Sequence, residues 1–140
     1  MILIFAEKND ISALKTKNWL EHYNAEFVFL EDLYLKDIGI KVDFAKRKES
    51  FSFYFQGKRI SIKDIHVVWN RRGLFKMNSI PADEIQYNVS PNTLNRHYWE
   101  EQKALADYFY FQLSQKKHIN FQGHYNTNKL IALSKAVKHG

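Results

Sequence analysis

The first thirty residues switch between two patterns of apolar spacing. Ile2-Leu3-Ile4-Phe5-Ala6 is an unbroken apolar run, the signature of a strand covered on both faces. Ile11, Leu14, Trp19, Leu20 and Tyr23 then recur as a helix would place them, with Asn9 or Asp10 as the cap and Asn24 as a stop. Glu26-Phe27-Val28-Phe29-Leu30 is the next strand. The chain therefore opens as a βαβ unit, whose strands pair in parallel through a right-handed crossover. Its first loop, Glu7-Lys8-Asn9-Asp10, contains no glycine, which argues against the Gly-rich turn of a dinucleotide-binding fold.

Residues 31–40 form a connecting turn or short helix, and from Lys41 onward the pattern changes to alternation. Val42 and Phe44 lead to Phe51, Phe53 and Phe55, three rings on one face of a strand. Gln56-Gly57-Lys58 is the hairpin turn, and Ile60 and Ile62 lie on the return strand. Ile65, Val67, Val68 and Trp69 make a further strand, with Trp69 expected in the core. Residues 73–92, which hold both prolines, read as a long loop. Ser90-Pro91 then caps a long helix reaching about Ser114, with Leu94, Tyr98, Leu105, Phe109 and Leu113 on one stripe. A short strand over Lys117–Phe121 and a helix from Thr127 with Leu130, Ile131, Leu133, Ala136 and Val137 complete the pattern. The elements predict an α/β sandwich with a mixed sheet, flanking helices and an inserted antiparallel meander, all within one domain over residues 1–140.

Composition narrows the classes. At 140 residues and 45% hydrophobic content the chain can bury a core, and no apolar run approaches the ~20 residues of a membrane span. The start lacks the flanks of a signal peptide, so a cytoplasmic protein with no membrane partner is expected. There is no cysteine, hence no disulfide and no thiolate metal site. His118 and His124 have no acidic neighbour and His66 stands alone in its strand, so no metal site is assigned. Ser50, Ser52, Ser61 and Ser114 lack the glycine elbow of a nucleophile, and no catalytic residue is assigned. The net charge of +6 is unevenly spread. No acidic residue follows Asp107, whereas Lys116, Lys117, Lys129, Lys135 and Lys138 do. Such zones favour anionic partners or are simply solvated.

The strongest candidate chemistry is Arg71-Arg72, at the C-terminal end of the Trp69 strand. Open α/β sheets place binding crevices at such ends, and a guanidinium fork suits phosphate or carboxylate. Adjacent residues of a strand point to opposite faces, so one arginine of the two meets a given ligand; the alternative is that one forms a structural salt bridge and the other is solvated.

Three segments in this order, Ile2-Leu3-Ile4 with its helix, Val68-Trp69-Asn70-Arg71-Arg72, and Asn126-Thr127-Asn128-Lys129-Leu130, resemble the N-terminal region of ATP-grasp peptide maturases of the microviridin (graspetide) type. The variant of grasp-with-SPASM systems is the most similar. The resemblance implies the pre-ATP-grasp domain of a ligase that crosslinks side chains of a ribosomally made precursor peptide through ω-ester or ω-amide bonds. It implies that ATP and Mg²⁺ serve the full-length enzyme, in catalytic domains lying beyond Gly140, and that this chain alone is inactive and holds no cofactor. It makes Arg71 and Arg72 substrate- or phosphate-binding candidates, and Asn126, Asn128 and Lys129 domain-junction candidates or an ordinary capped helix start. Many relatives have proline where this chain has Gly73, a departure expected to free the path of residues 73–81. Partners implied are the precursor peptide and the chain's own ATP-grasp domains. An apolar patch near the last helix, left open without them, could also form a homodimer.

Two other classes remain open. A basic nucleic-acid module would stack bases on Phe51, Phe53 and Phe55, which is not expected if those rings are buried. A stand-alone interaction domain would carry a complete core.

Overall fold

The apolar run at the N-terminus forms β1 (Ile2–Ala6), one of the two inner strands of a four-stranded parallel sheet ordered β2-β1-β6-β7. The structure, a computed structural model, describes residues 1–44, 49–73, 75–79, 90–120 and 128–139. Around β1 lie β2 (Phe27–Glu31), β6 (Val67–Arg71) and, beyond β6, β7 (Lys117–Ile119). In register, Ile4 stands between Phe29 and Trp69, and Leu3 between Val28 and Val68. β1 is buried on both faces because a helix lies on each side.

On the Ile4 side runs α1 (Ile11–His22). Asp10 caps it, its carboxylate accepting the Ala13 N–H at 3.0 Å, and Asn24 in the left-handed region ends it. Only Ala13 of this helix is buried. Ile11 and Trp19, expected to face the core, are 69% and 61% exposed, and Tyr23 is exposed with them. A short helix laid over the sheet through an alanine touches it along one narrow line, and the flanking apolar side chains stay outside.

On the Leu3 side runs α2 (Pro91–Ser114), with Pro91 at its first turn as expected. Its stretch Ala106–Leu113 is buried all round rather than on a stripe. The reason is that α2 is covered on two sides: by the parallel sheet, and by a three-stranded antiparallel sheet of β3 (Gly39–Asp43), β4 (Ser50–Phe55) and β5 (Lys58–Ser61). Phe109 makes the junction, its ring centroid lying 4.9 Å from Phe75, 5.0 Å from Phe53, 5.3 Å from Phe51 and 6.3 Å from Phe5. The expected α/β architecture and its meander are thus present, with parallel and antiparallel pairings divided between two sheets. The hairpin turn is Gln56-Gly57, both at positive φ, as a type I′ turn requires. Phe51 and Phe53 are buried, which removes them as a platform for stacking bases.

The last helix, α3 (Lys129–His139), packs on α2 through buried Ile131. Leu133 is 51% exposed, the one large apolar side chain that the described part of α3 leaves open. No helix among the described residues is long and apolar enough to cross a membrane.

Gly73 corrects an expectation. It does not free the chain but is buried where a Cβ would sit 2.6 Å from the Ala6 nitrogen and 2.7 Å from the Phe5 carbonyl carbon. After it the chain is tied down. Phe75 donates its N–H to the Tyr110 hydroxyl at 2.7 Å, Lys76 bonds Leu33 and Leu35, and Asn78 exchanges two bonds with Gln102. Residues 74 and 80–89 lie outside the described residues.

Two substitutions test this packing by urea denaturation. Phe109→Ala should lower unfolding free energy by about 3–5 kcal/mol, because it empties the junction between both sheets. Gly73→Ala should cost about 1–3 kcal/mol, since the clashing atoms are backbone and cannot rotate away. A change below the scatter of the measurement at position 73 would show that the loop does yield.

Candidate functional site

The chain passes from β1 to β2 through α1 and, after the meander, returns to the other side of β1 as β6, so strand order reverses between β1 and β6. A crevice outside the carboxyl ends of the strands is the consequence at such a switch point. Its rim is formed by residues 7–10, Asp32, Arg71-Arg72-Gly73 and Asn120. Each of the four parallel strands leaves the sheet through a left-handed residue that is not glycine: Asn9 (φ 63°), Asp32 (48°), Arg72 (67°) and Asn120 (53°). Asn and Asp tolerate that conformation because their short side chains bond locally. Arginine has no such compensation, so Arg72 is held there by its surroundings: Gly73 pressed on β1, and a bridge between Arg72 and Ala6.

The two arginines have different fates. Arg71 turns to the α1 side, where its Nε lies 3.3 Å from Asp10 Oδ2. Asp10 is 7% exposed and Arg71 29%, so the pair is sheltered. The Ala13 backbone bond and then the charge of Arg71 hold the Asp10 carboxyl below its ordinary value, against an opposing effect of burial. The pair fastens the β6 end to the start of α1. Arg72 is exposed and forms no ion pair among the described residues.

The remaining charges of the rim are mostly committed. Asp32 pairs with Lys76, which raises the Lys76 ammonium above its ordinary value, and Lys76 also lies 5.6 Å from the Tyr34 ring centre. Glu31 accepts the Asn9 N–H at 3.2 Å. Arg72, Lys8 and Glu7 are exposed with no ion pair among the described residues, and the two cations have the chemistry to recognise an anion. Beneath them Asn70 points to the α2 face, its buried Oδ1 without a partner among the described residues. Trp69 is half-buried on the α1 side, in line with Ile4 and the exposed Ile119, while Val68 and Ile65 occupy the core.

The other candidates are not brought to this rim. Asn128 caps α3, its Oδ1 accepting the Ile131 N–H at 3.1 Å while its Nδ2 donates to the Ala104 carbonyl of α2 at 2.9 Å. That is a joint within this chain, on the α2 side of the sheet and away from Arg71. Lys129 is exposed beside it, and Asn126 lies outside the described residues. Among the described residues no three histidine, aspartate or glutamate side chains converge as metal ligands would.

One constellation had no sequence signal. Glu49, preceding β4, accepts bonds from the Tyr108 hydroxyl, the Gln112 amide and, at 2.6 Å, the Ser134 hydroxyl. These donors sit on α2 and α3, so one carboxylate ties the meander to both helices. Burial, and then the bond to Glu49, pushes the Tyr108 phenol well above its ordinary value.

The Asp10–Arg71 pair has a testable sign. Asp10 has a lowered native value, so its stabilising contribution is complete above the ordinary aspartate range and vanishes as pH falls through the native value. Asp10→Asn should therefore be less stable than the parent at neutral pH, and the gap in melting temperature should close on acidification. A gap that stays constant with pH would show that ionisation of Asp10 contributes nothing to the folded state.

No protein-family model matches the chain, and no curated protein matches it in sequence. Solved structures do match. The macrocyclase MdnB from Microcystis aeruginosa MRC has a TM-score of 0.59 over 84% of this chain and 36% of its own, at 16% identity. The macrocyclase MdnC from the same organism, bound with precursor peptide MdnA, also has a TM-score of 0.59, over 86% and 37%, at 12% identity. A RiPP-associated ATP-grasp ligase from Chryseobacterium gregarium, in complex with ADP and a leader and core peptide, matches at 0.49 over 77% and 31%, at 19% identity. At such identities the likeness to the two macrocyclases is one of fold. The chain spans little more than a third of their length.

Proposed function

We propose that this chain is the pre-ATP-grasp domain of a cytoplasmic ligase that crosslinks side chains of a ribosomally made precursor peptide through ω-ester or ω-amide bonds. The observation that carries the reading is the shared fold with two peptide macrocyclases over more than four-fifths of the chain. The ordered motifs around Ile2-Leu3-Ile4, Trp69-Asn70-Arg71-Arg72 and Asn128-Lys129-Leu130 support it independently, and they favour the grasp-with-SPASM variant. In this reading ATP, with Mg²⁺, activates a peptide carboxylate in domains that follow this one. The part of the present residues is to shape one wall of the peptide cleft. Arg72 binds a carboxylate or phosphate at the rim, and Arg71 positions it by fixing the strand end to Asp10.

The test uses the complete gene product with a co-encoded peptide and follows ATP-dependent loss of water by mass spectrometry. Arg72→Ala should slow dehydration by about tenfold or more, the size of a lost charge-assisted contact, with the melting temperature little changed. Arg71→Ala should lower both. Unaltered dehydration by Arg72→Ala would remove Arg72 from the site, and a complete product that dehydrates no co-encoded peptide would sink the ligase reading.

A further inference from the structure

Of the four outer strand edges among the described residues, on β2, β7, β3 and β5, those of β2 and β5 stand close together. Both border one cleft of about 850 Å³. The backbone groups that face it follow from the ladder. Ile2 donates to the Glu26 carbonyl and Asp32 donates to the Ala6 carbonyl. In a parallel pair, alternate residues bond a given neighbour, so Val28 and Leu30 also turn to β1 while Phe27, Phe29 and Glu31 turn their N–H and C=O groups outward. All three outward residues line the cleft, together with Glu26 and Val28. On β5, the two-residue turn makes Phe55 and Lys58 a bonded pair, so Arg59, opposite Tyr54, directs both of its backbone groups away from β4. Arg59 lines the same cleft.

Charge decides what fits there. Lys17, Lys58, Arg59 and Lys63 stand against the acids Glu26, Glu31 and Asp64, with Lys17 paired to Glu21 at 3.8 Å and the Arg59 Nε donating to the Ser52 hydroxyl at 3.2 Å. Glu26 lies 3.8 Å from the N-terminal amine, and Glu31 accepts the Asn9 N–H. Lys58 and Lys63 are exposed, with no ion pair for either ammonium among the described residues. A second copy of this chain would set these cations against one another.

We propose that the cleft takes an extended acidic peptide as an added strand on the outer edge of β2. Half-buried Phe27 and Phe29 meet its alternate apolar side chains, and Lys58, Arg59 and Lys63 of the facing hairpin meet its carboxylates. The inference stands on sheet edges and charge and concerns binding by this chain alone, so it survives or fails apart from the ligase reading.

The probe is a fluorescein-labelled peptide of about ten residues alternating Glu and Val, titrated with the 140-residue chain at low salt and read by anisotropy. Saturable binding is expected. It should weaken about tenfold or more when alternate peptide nitrogens are methylated, and likewise in Lys58→Glu/Lys63→Glu, two exposed positions whose change leaves the fold intact by circular dichroism. Amide exchange should show protection at Phe29 and Glu31 on binding. Absence of binding up to about 1 mM, or equal affinity for the methylated peptide, would overturn the proposal. So would a chain that is dimeric by sedimentation with these same amides protected, which would make the occupant a second copy.

Discussion

The ring of Phe109 is where the layers of this molecule meet. It stands on the buried half of α2 and touches Phe5 of the parallel sheet, Phe51 and Phe53 of the antiparallel sheet, and Phe75 of the segment between them. Edge-to-face geometry prevails in these contacts, so each ring offers its positive rim to a negative face. Neither sheet has a closed core without this helix. The bond from Phe75 to Tyr110 and the hold of Glu49 on Tyr108 and Gln112 then fix the helix in register with both. Rigidity at the strand ends, and so at the Arg72 rim, follows from this arrangement.

Sequence pattern was most legible where burial is one-dimensional. The continuous run in β1, the alternation of Phe51 and Phe53, the Gln56-Gly57 turn and the Ser90-Pro91 start all report local constraints, and all are observed. It was least legible where coverage depends on a distant element. The apolar spacing of Ile11, Trp19 and Tyr23 indicates a helix correctly but says nothing about how far the sheet extends beneath it. For Gly73, a glycine in place of the proline of similar proteins suggested freedom, yet the deciding fact is the approach of the Ala6 backbone, which lies far away in the chain.

The same distinction divides the site. That two arginines end a strand could be read directly. Which of them is committed depends on Asp10, placed opposite Arg71 by the parallel register and the cap of α1. The left-handed conformation of Arg72 carries no sequence signal of its own, since it arises from the closeness of Gly73 to β1. Asn128 kept the capping role that its position before a helix suggested, and its second bond, to α2, depends on tertiary packing alone. Glu49 was indistinguishable from any charge in a basic stretch, because its three donors come from two later helices.

The insertion of the meander between β2 and β6 bears on the order in which the chain can fold. Ile2 pairs with both Phe27 and Val67, the first close in sequence and the second reached only after the entire antiparallel sheet has been synthesised. A nascent chain can close the early βαβ unit quickly and lay α1 on one face, yet β1 must wait for its other neighbour and for α2 before its second edge and second face are covered. Contacts of such long range are slow to form, and an apolar strand with one open edge is the species most prone to associate meanwhile. The burial that makes β1 the most secure strand of the finished molecule thus makes it the most vulnerable during synthesis.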